Sequence, residues 1–293
     1  MRLVVTAVVF LRATLVAVIV VLAGADRALA QAPAAAPSAP AVPQVTLEPG
    51  LRPVPDYRTL VAEPPAASIP EGFTSLFNGR DLTGWHVSKT ARHGVSPDFH
   101  VAHGMILGTQ RPLGGGGLLL SDRTYRNFEL YMEVKPDWGN DSGLLVRTTD
   151  EGVAYQITLD YLTGGSMGRM IGEGGIQGTV EARPVGGATA TAPVAGASAP
   201  GAGTPGASSD PGMAAWKREE WNTVRVRFQG DAPRATVWIN GQQVSDAVDS
   251  ANHAFGGIVD GRIALQIHGG TARWLPGGFW RWRNIAIREL PAN

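Results

Sequence analysis

Along most of the chain apolar and polar residues alternate with a period of two. Phe128 to Lys135 reads FELYMEVK, with Phe128, Leu130, Met132 and Val134 on one side and Glu129, Tyr131, Glu133 and Lys135 on the other. Successive side chains of a strand point to opposite faces, so this run predicts a strand with one buried side. Trp221 to Phe228 (WNTVRVRF) alternates in the same way, as does Arg262 to His268 (RIALQIH). In the latter, Ile263, Leu265 and Ile267 share one face, and Arg262, Ala264, Gln266 and His268 the other. Ala235 to Ile239 runs into Asn240-Gly241, a hairpin signal. Asn78-Gly79, Thr83-Gly84 and His103-Gly104 punctuate the earlier strands, and Trp280 to Leu290 closes the chain. No amphipathic helical period of any length follows residue 30. Many short strands joined by turns predict an all-β fold over residues 71–291, an antiparallel β-sandwich or jelly roll.

The organising stretch is Trp138 to Gly175. In its second strand pattern Tyr155, Ile157, Leu159 and Tyr161 point one way and Gln156, Thr158 and Asp160 the other. In its first, Leu144 and Val146 oppose Leu145 and Arg147. This phase predicts that Arg147, Gln156 and Asp160 reach one sheet surface, a set of groups suited to a polyol. Four glycines, Gly114 to Gly117, precede Leu118. No Lys-Ser or Lys-Thr follows them and the next residues read as strand, so a loop at the rim of a site fits better than a phosphate loop.

The ends and the middle differ from this pattern. Arg2, an apolar run from Ala13 to Ala25 and the small residues of Ala28-Leu29-Ala30 read as a signal peptide over residues 1–30, cut after Ala30. Arg12 interrupts the longer apolar run from Leu3 to Gly24, which leaves a core short for a membrane span. Residues 31–70 are rich in Pro and Ala and read as an extended tether. Residues 184–212 are almost wholly Gly, Ala, Pro, Ser and Thr, a low-complexity insertion within the domain. The 293 residues carry 25 basic and 25 acidic side chains, a net charge of zero, and no basic run, which argues against nucleic acid as a partner. The absence of cysteine excludes disulfides, thiolate metal sites and a cysteine nucleophile. The expected address is secreted, periplasmic or at the cell envelope.

The ordered set GFTSLFNGRDLTGW, GGGGLLLSDRTYRNFELYMEVK, NDSGLLVR, YQITLDY, WNTVRVRF, VWINGQQVSD, GRIALQIHGG and WRNIAIREL resembles the 3-keto-disaccharide hydrolase domain over about residues 71–290. The resemblance implies a concanavalin A-like sandwich, bacterial secretion and action on glycosides oxidised at C3. It carries over Asp141, Ser142, Gly143 and Arg147, with Asp141 where Asn is usual. It also carries over Tyr155, Gln156 and Asp160, with Gln156 where Glu is common. Gly172, Glu173 and Gly174, and then Gln266, His268 and Gly269, complete the match.

A C3 ketone acidifies the C2 hydrogen, so a base, an acid for the leaving oxygen and donors for the enolate are needed. His268 is the expected base because an unperturbed imidazole titrates near ~6.5. Asp160 or Glu173 would be the acid, or the partner that orients the imidazole. Arg147 would hold the enolate oxygen or a hydroxyl. Gln156, Gln266 and Asp141 would bind substrate, with Trp138 stacking on a sugar ring. An ordinary glycosidase pair made of Asp160 and Glu173 is the competing chemistry. A non-catalytic lectin-like module and a structural envelope domain are the competing functions. His86, His93, His100 and His103 lack the spacing of a metal site and are expected on different loops. No cofactor is expected, although a structural Ca²⁺ is compatible with the fold. A sugar 3-dehydrogenase acting upstream would supply the oxidised substrate.

Overall fold

The computed structural model describes residues 63–176, 180–182 and 210–292. The expected signal peptide, residues 31–62 of the expected tether and residues 184–209 of the insertion lie outside the described residues. Fifteen strands form two antiparallel sheets among the described residues. They are β1 (Thr74–Ser75), β2 (Trp85–Val87), β3 (Pro97–Ala102), β4 (Met105–Gln110), β5 (Gly117–Ser121), β6 (Phe128–Pro136), β7 (Ser142–Thr148), β8 (Ala154–Leu159), β9 (Met167–Glu173), β10 (Val180–Ala182), β11 (Asn222–Gln229), β12 (Arg234–Ile239), β13 (Gln242–Asp249), β14 (Arg262–Ile267) and β15 (Trp280–Glu289). The nine-stranded sheet runs β10-β13-β12-β11-β6-β15-β4-β3, with β1 added beside β15. The six-stranded sheet runs β2-β5-β14-β7-β8-β9. This is the expected antiparallel sandwich of jelly-roll type.

The period of two becomes the core directly. Phe128, Leu130, Met132 and Val134 meet Val224, Val226 and Phe228 on one inner face. Leu144, Tyr155, Ile157, Leu159, Ile263, Leu265 and Ile267 form the other. Trp280 and Trp282, both fully buried, stack 5.7 Å apart between the sheets. Burying apolar area on this scale is the main driving force for the fold.

Two expectations change. Residues 63–70, assigned to the tether by composition, are held on the nine-stranded sheet instead. Glu63 bonds Lys135 Nζ at 2.9 and 3.0 Å, Arg283 donates to the Pro64 carbonyl, and the Ala67 N–H donates to Glu133 at 3.2 Å. Polar contacts rather than apolar burial fasten this stretch, which is why its composition misleads. A short helix, α1 (Pro211–Ala215), also closes the expected insertion, capped by the Asp210 carboxylate on the N–H groups of Gly212 and Met213. Among the described residues no helix is long and apolar enough to cross a membrane.

The outer face of the nine-stranded sheet is built around Glu129. Its carboxylate is fully buried and pairs with Arg225, Arg227 and Arg288, each about two-fifths exposed. Burial alone would raise its pKa, but the arginines outweigh that and hold it below the usual range. Glu129→Ala is expected to destabilise the domain by about 1.5–3 kcal/mol, because charge-assisted bonds are lost while the arginines remain partly solvated. A shift in the urea midpoint checks it.

Candidate active site

The outer face of the six-stranded sheet divides in two. At one end Leu118, Leu120, Leu145, Ala154 and Ala264 form an apolar patch under Ala91, which arrives on the loop 88–96. At the other end, strand ends bring polar groups together. Asp141 precedes β7, Asp160 follows β8, and His268 and Arg273 follow β14. Antiparallel pairing of Ser142 with Leu159 puts Asp141 and Asp160 side by side. Arg273 sits on both. Its guanidinium lies against both oxygens of Asp160, and its Nε is 3.5 Å from Asp141 Oδ2. His268 Nε2 is 3.6 Å from the same Asp141 oxygen.

Burial sets the charges here. It pushes the Asp141 carboxyl well above the usual range, and the neighbouring negative charge of Asp160 adds to the rise. Burial also raises Asp160, but Arg273 opposes this directly, so Asp160 is the member of the pair that ionises first. Burial lowers the His268 imidazole, which therefore stays neutral near pH 7. An imidazole of lowered basicity beside a carboxyl of raised proton affinity sets a proton acceptor next to a proton donor.

Gln156 and Gln266 meet above β7. Gln156 Nε2 donates to Gln266 Oε1 at 3.1 Å, and Gln266 Nε2 reaches His93 Nδ1 at 2.9 Å. The contact crosses Gly143, where a Cβ would fall 2.0 Å from Gln156 Nε2 and 2.9 Å from Gln266 Oε1. Only a residue without a side chain leaves room for this amide bridge. Gln156 Oε1, His93 Nε2, His268 Nδ1 and Arg273 Nε are buried atoms with no hydrogen-bond partner in the protein. Unpaired buried polar atoms are costly, and four of them around one surface mark a place suited to a polar ligand.

The expected residues do not all converge. Arg147 was expected on this surface but lies inside. Arg262 pairs with Thr148 and Ala264 with Leu145, so β7 carries an extra residue, and Arg147 adopts φ 49°. The bulge turns its side chain inward over the Phe228 ring, where it donates to the carbonyls of Gly230 at 2.7 Å and Asp231 at 2.9 Å. It is also six residues from Asp141, roughly 20 Å along a strand. Glu173 does not join Asp160 either. It pairs with Ala154, so its Cα is on the order of 20 Å from that of Asp160, too far for a glycosidase carboxylate pair. Its carboxylate instead lies 4.0 Å from His93 Nε2. Trp138 is partly exposed, but its ring carries the Arg218 guanidinium at 3.7 Å and packs on Tyr161 at 4.7 Å. It is thus engaged in packing rather than presented as an open stacking platform.

Sequence reasoning missed Arg273, His93 and Gln110. Buried Gln110 bonds the carbonyls of His268 and Gly270 and accepts from the Gly114 N–H at 2.7 Å, tying the glycine loop to the end of β14. The four early histidines do fall on separate elements. His86 is on β2, His93 on the loop 88–96, His100 on β3 and His103 in the β3–β4 turn. Among the described residues no group of three His, Cys, Asp or Glu is placed to hold a metal ion.

A family model described as the 3-keto-alpha-glucoside-1,2-lyase-like domain matches residues 72–288. Similar solved structures include a protein provisionally named a glycosyl hydrolase from Parabacteroides distasonis (18% identity, TM-score 0.47, covering 74% of this chain and 99% of that one). Others are the carbohydrate-binding module CBM66 from Bacillus subtilis (13%, 0.41, 71% and 97%) and the β-glucanase of Bacillus licheniformis (13%, 0.40, 75% and 99%). No curated protein sequence matches the chain.

Two predictions follow from this geometry. Gly143→Ala should break the amide bridge and cost about 1–3 kcal/mol by overpacking, seen as a lower melting temperature. The second concerns pH. A carboxyl raised by folding makes the native state bind more protons than the unfolded chain between the two pKa values, so stability grows as pH falls through that window. Asp141→Asn, which cannot ionise, should therefore be more stable than the wild type above the window, with the gap closing below it. Thermal melts from about pH 3 to about pH 8 check this.

Proposed function

This chain belongs to the 3-keto-alpha-glucoside-1,2-lyase-like domain family, a carbohydrate-acting, hydrolase-like group, and from that premise we propose that it cleaves glycosides oxidised at C3. The observation that carries the reading is a half-buried His268 of lowered basicity beside the Asp141–Asp160 pair, which shares the Arg273 guanidinium.

In the proposed reaction His268 removes the C2 proton. The C2–H electron pair moves into a C2–C3 double bond, and the C3 carbonyl becomes an enolate. The enolate then reforms the carbonyl and expels the C1 oxygen, leaving a C1–C2 double bond. Asp141, whose hold on a proton burial strengthens, gives that proton to the departing oxygen. The Asp160 charge, which favours protonation of His268, stabilises the imidazolium formed in the first step. Water can then add across the double bond, with hydroxide going to C1 and a proton to C2, to complete hydrolysis. Gln156 offers its unpaired carbonyl oxygen to a sugar hydroxyl. Arg273 positions the carboxylates.

The same reading takes the protein to be secreted, to the periplasm or cell envelope, with its substrate supplied by an enzyme that oxidises the C3 hydroxyl of a glycoside. Release of the aglycone from a 3-keto-glucoside, with the unoxidised glucoside as control, tests it. Selective cleavage of the oxidised sugar is expected. His268→Ala and Asp141→Asn should each lower kcat by about 10²–10⁴-fold. Cleavage of both sugars would indicate ordinary glycosidase chemistry. Binding without cleavage would indicate a lectin-like module.

A further inference from the structure

The elimination leaves one requirement without a residue: a donor for the C3 oxygen as it gains negative charge. Arg147, the residue expected for this role, is turned inward by the β7 bulge. We propose that His93 is that donor, with its tautomer set by the Gln156–Gln266 amide bridge. The inference rests on the reaction proposed above.

The direction of the bridge decides the chemistry. Gln156 donates to Gln266, so the Gln266 carboxamide oxygen is an acceptor and its Nε2 is a donor. That Nε2 lies 2.9 Å from His93 Nδ1. Nδ1 must then accept, and in a neutral imidazole the proton sits on Nε2. His93 Nε2–H is buried and has no acceptor in the protein, since Glu173 Oε2 lies at 4.0 Å, beyond hydrogen-bonding range. The bridge thus ends in two unsatisfied groups of opposite sense. The Gln156 oxygen can only accept, and the His93 N–H can only donate. A ketone oxygen can only accept, and a neighbouring hydroxyl can donate. The two ends therefore fit a keto group with a hydroxyl close by.

His93 is also held in place. Ala91, two residues earlier, is buried in the apolar patch on the six-stranded sheet. Arg92 bonds the Glu151 carbonyl through its N–H at 3.0 Å and the Gly174 carbonyl through its guanidinium at 2.7 Å. A Cβ on Gly152 would strike the imidazole at 2.8 Å, so a glycine backs the ring. His93 lies beside the end of β14 that carries His268, since its ring meets Gln266 and a Cβ on Gly269 would fall 2.9 Å from the His93 carbonyl oxygen. A fixed neutral donor opposite a neutral base suits enolate formation. It needs no reorganisation as charge builds up, and it leaves His268 free to accept the C2 proton.

The experiment combines turnover with the imidazole tautomer. Long-range nitrogen–proton NMR of the wild type should report His93 protonated at Nε2. With a 3-keto-glucoside, His93→Ala and His93→Phe should lower kcat by about 10²–10³-fold with a smaller change in KM. Loss of C2-hydrogen exchange in deuterated water should parallel the fall in kcat. Gln266→Glu keeps an acceptor at the same place and removes the donor. It should move the His93 proton to Nδ1 and lower kcat comparably, although His93 itself is intact. Circular dichroism confirms that each variant is folded. Undiminished kcat in both folded His93 variants, or a wild-type proton on Nδ1, would overturn the role while leaving the cleavage reaction standing. No turnover of the oxidised sugar by the wild type would overturn the reaction itself, and the role with it.

Discussion

Two carboxylates and one guanidinium share the end of the six-stranded sheet, and the chemistry of the site depends on that unequal count. Arg273 satisfies Asp160 directly and Asp141 only at longer range. In a desolvated place one cation cannot compensate two anions, so both carboxyls hold their protons more tightly than free ones do, and Asp141, the more deeply buried, is raised further. His268 is drawn into the same balance. Desolvation lowers its basicity although it is only half-buried, yet it faces charge that would stabilise it once protonated. A proton donor and a proton acceptor thus lie side by side because their surroundings drive their proton affinities in opposite directions.

The two outer faces show how one strand pattern can serve two ends. Both sheets alternate apolar and polar residues, and both place polar side chains outward. On the nine-stranded sheet these groups satisfy one another, with Glu129 as the hub for three arginines and Arg283 closing on Glu133. On the six-stranded sheet the polar end leaves buried atoms of Gln156, His93, His268 and Arg273 unpaired. The first surface has its buried carboxylates paired with arginines and reads as structure. The second is incomplete in a patterned way, with donors and acceptors at set places, and reads as a site.

Glycines and three glutamines convert strand ends into that site. Without a Cβ at Gly143 the amides of Gln156 and Gln266 can meet across an intervening strand. The backbones of the glycine loop and the end of β14 also approach closely, since a Cβ on Gly116 would lie 2.5 Å from Gly269. Gln110 joins the same two segments through three hydrogen bonds. The four-glycine run, which on its own suggests only a loop, is thereby a packing device that fixes the segment carrying His268.

What the sequence determined by itself was the sandwich and much of the site's inventory. Side-chain direction in a strand follows from counting by two, so the inward placing of Tyr155, Ile157, Leu159, Ile263, Leu265 and Ile267, and the outward placing of Gln156 and Gln266, were legible. Counting fails where the ladder breaks. One extra residue in β7 reversed Arg147, and nothing local in SGLLVRT announces that bulge, because it depends on how β14 pairs alongside. Counting is also silent on distance across the sheet. Only register separates Glu173 from Asp160 while joining Asp141 to it. Loop residues carry no period at all. That Arg273 reaches two carboxylates, and that His93 lies beside Gln266 across 173 positions of sequence, was decided by the tertiary structure alone, because loops take their direction from the surfaces they cover.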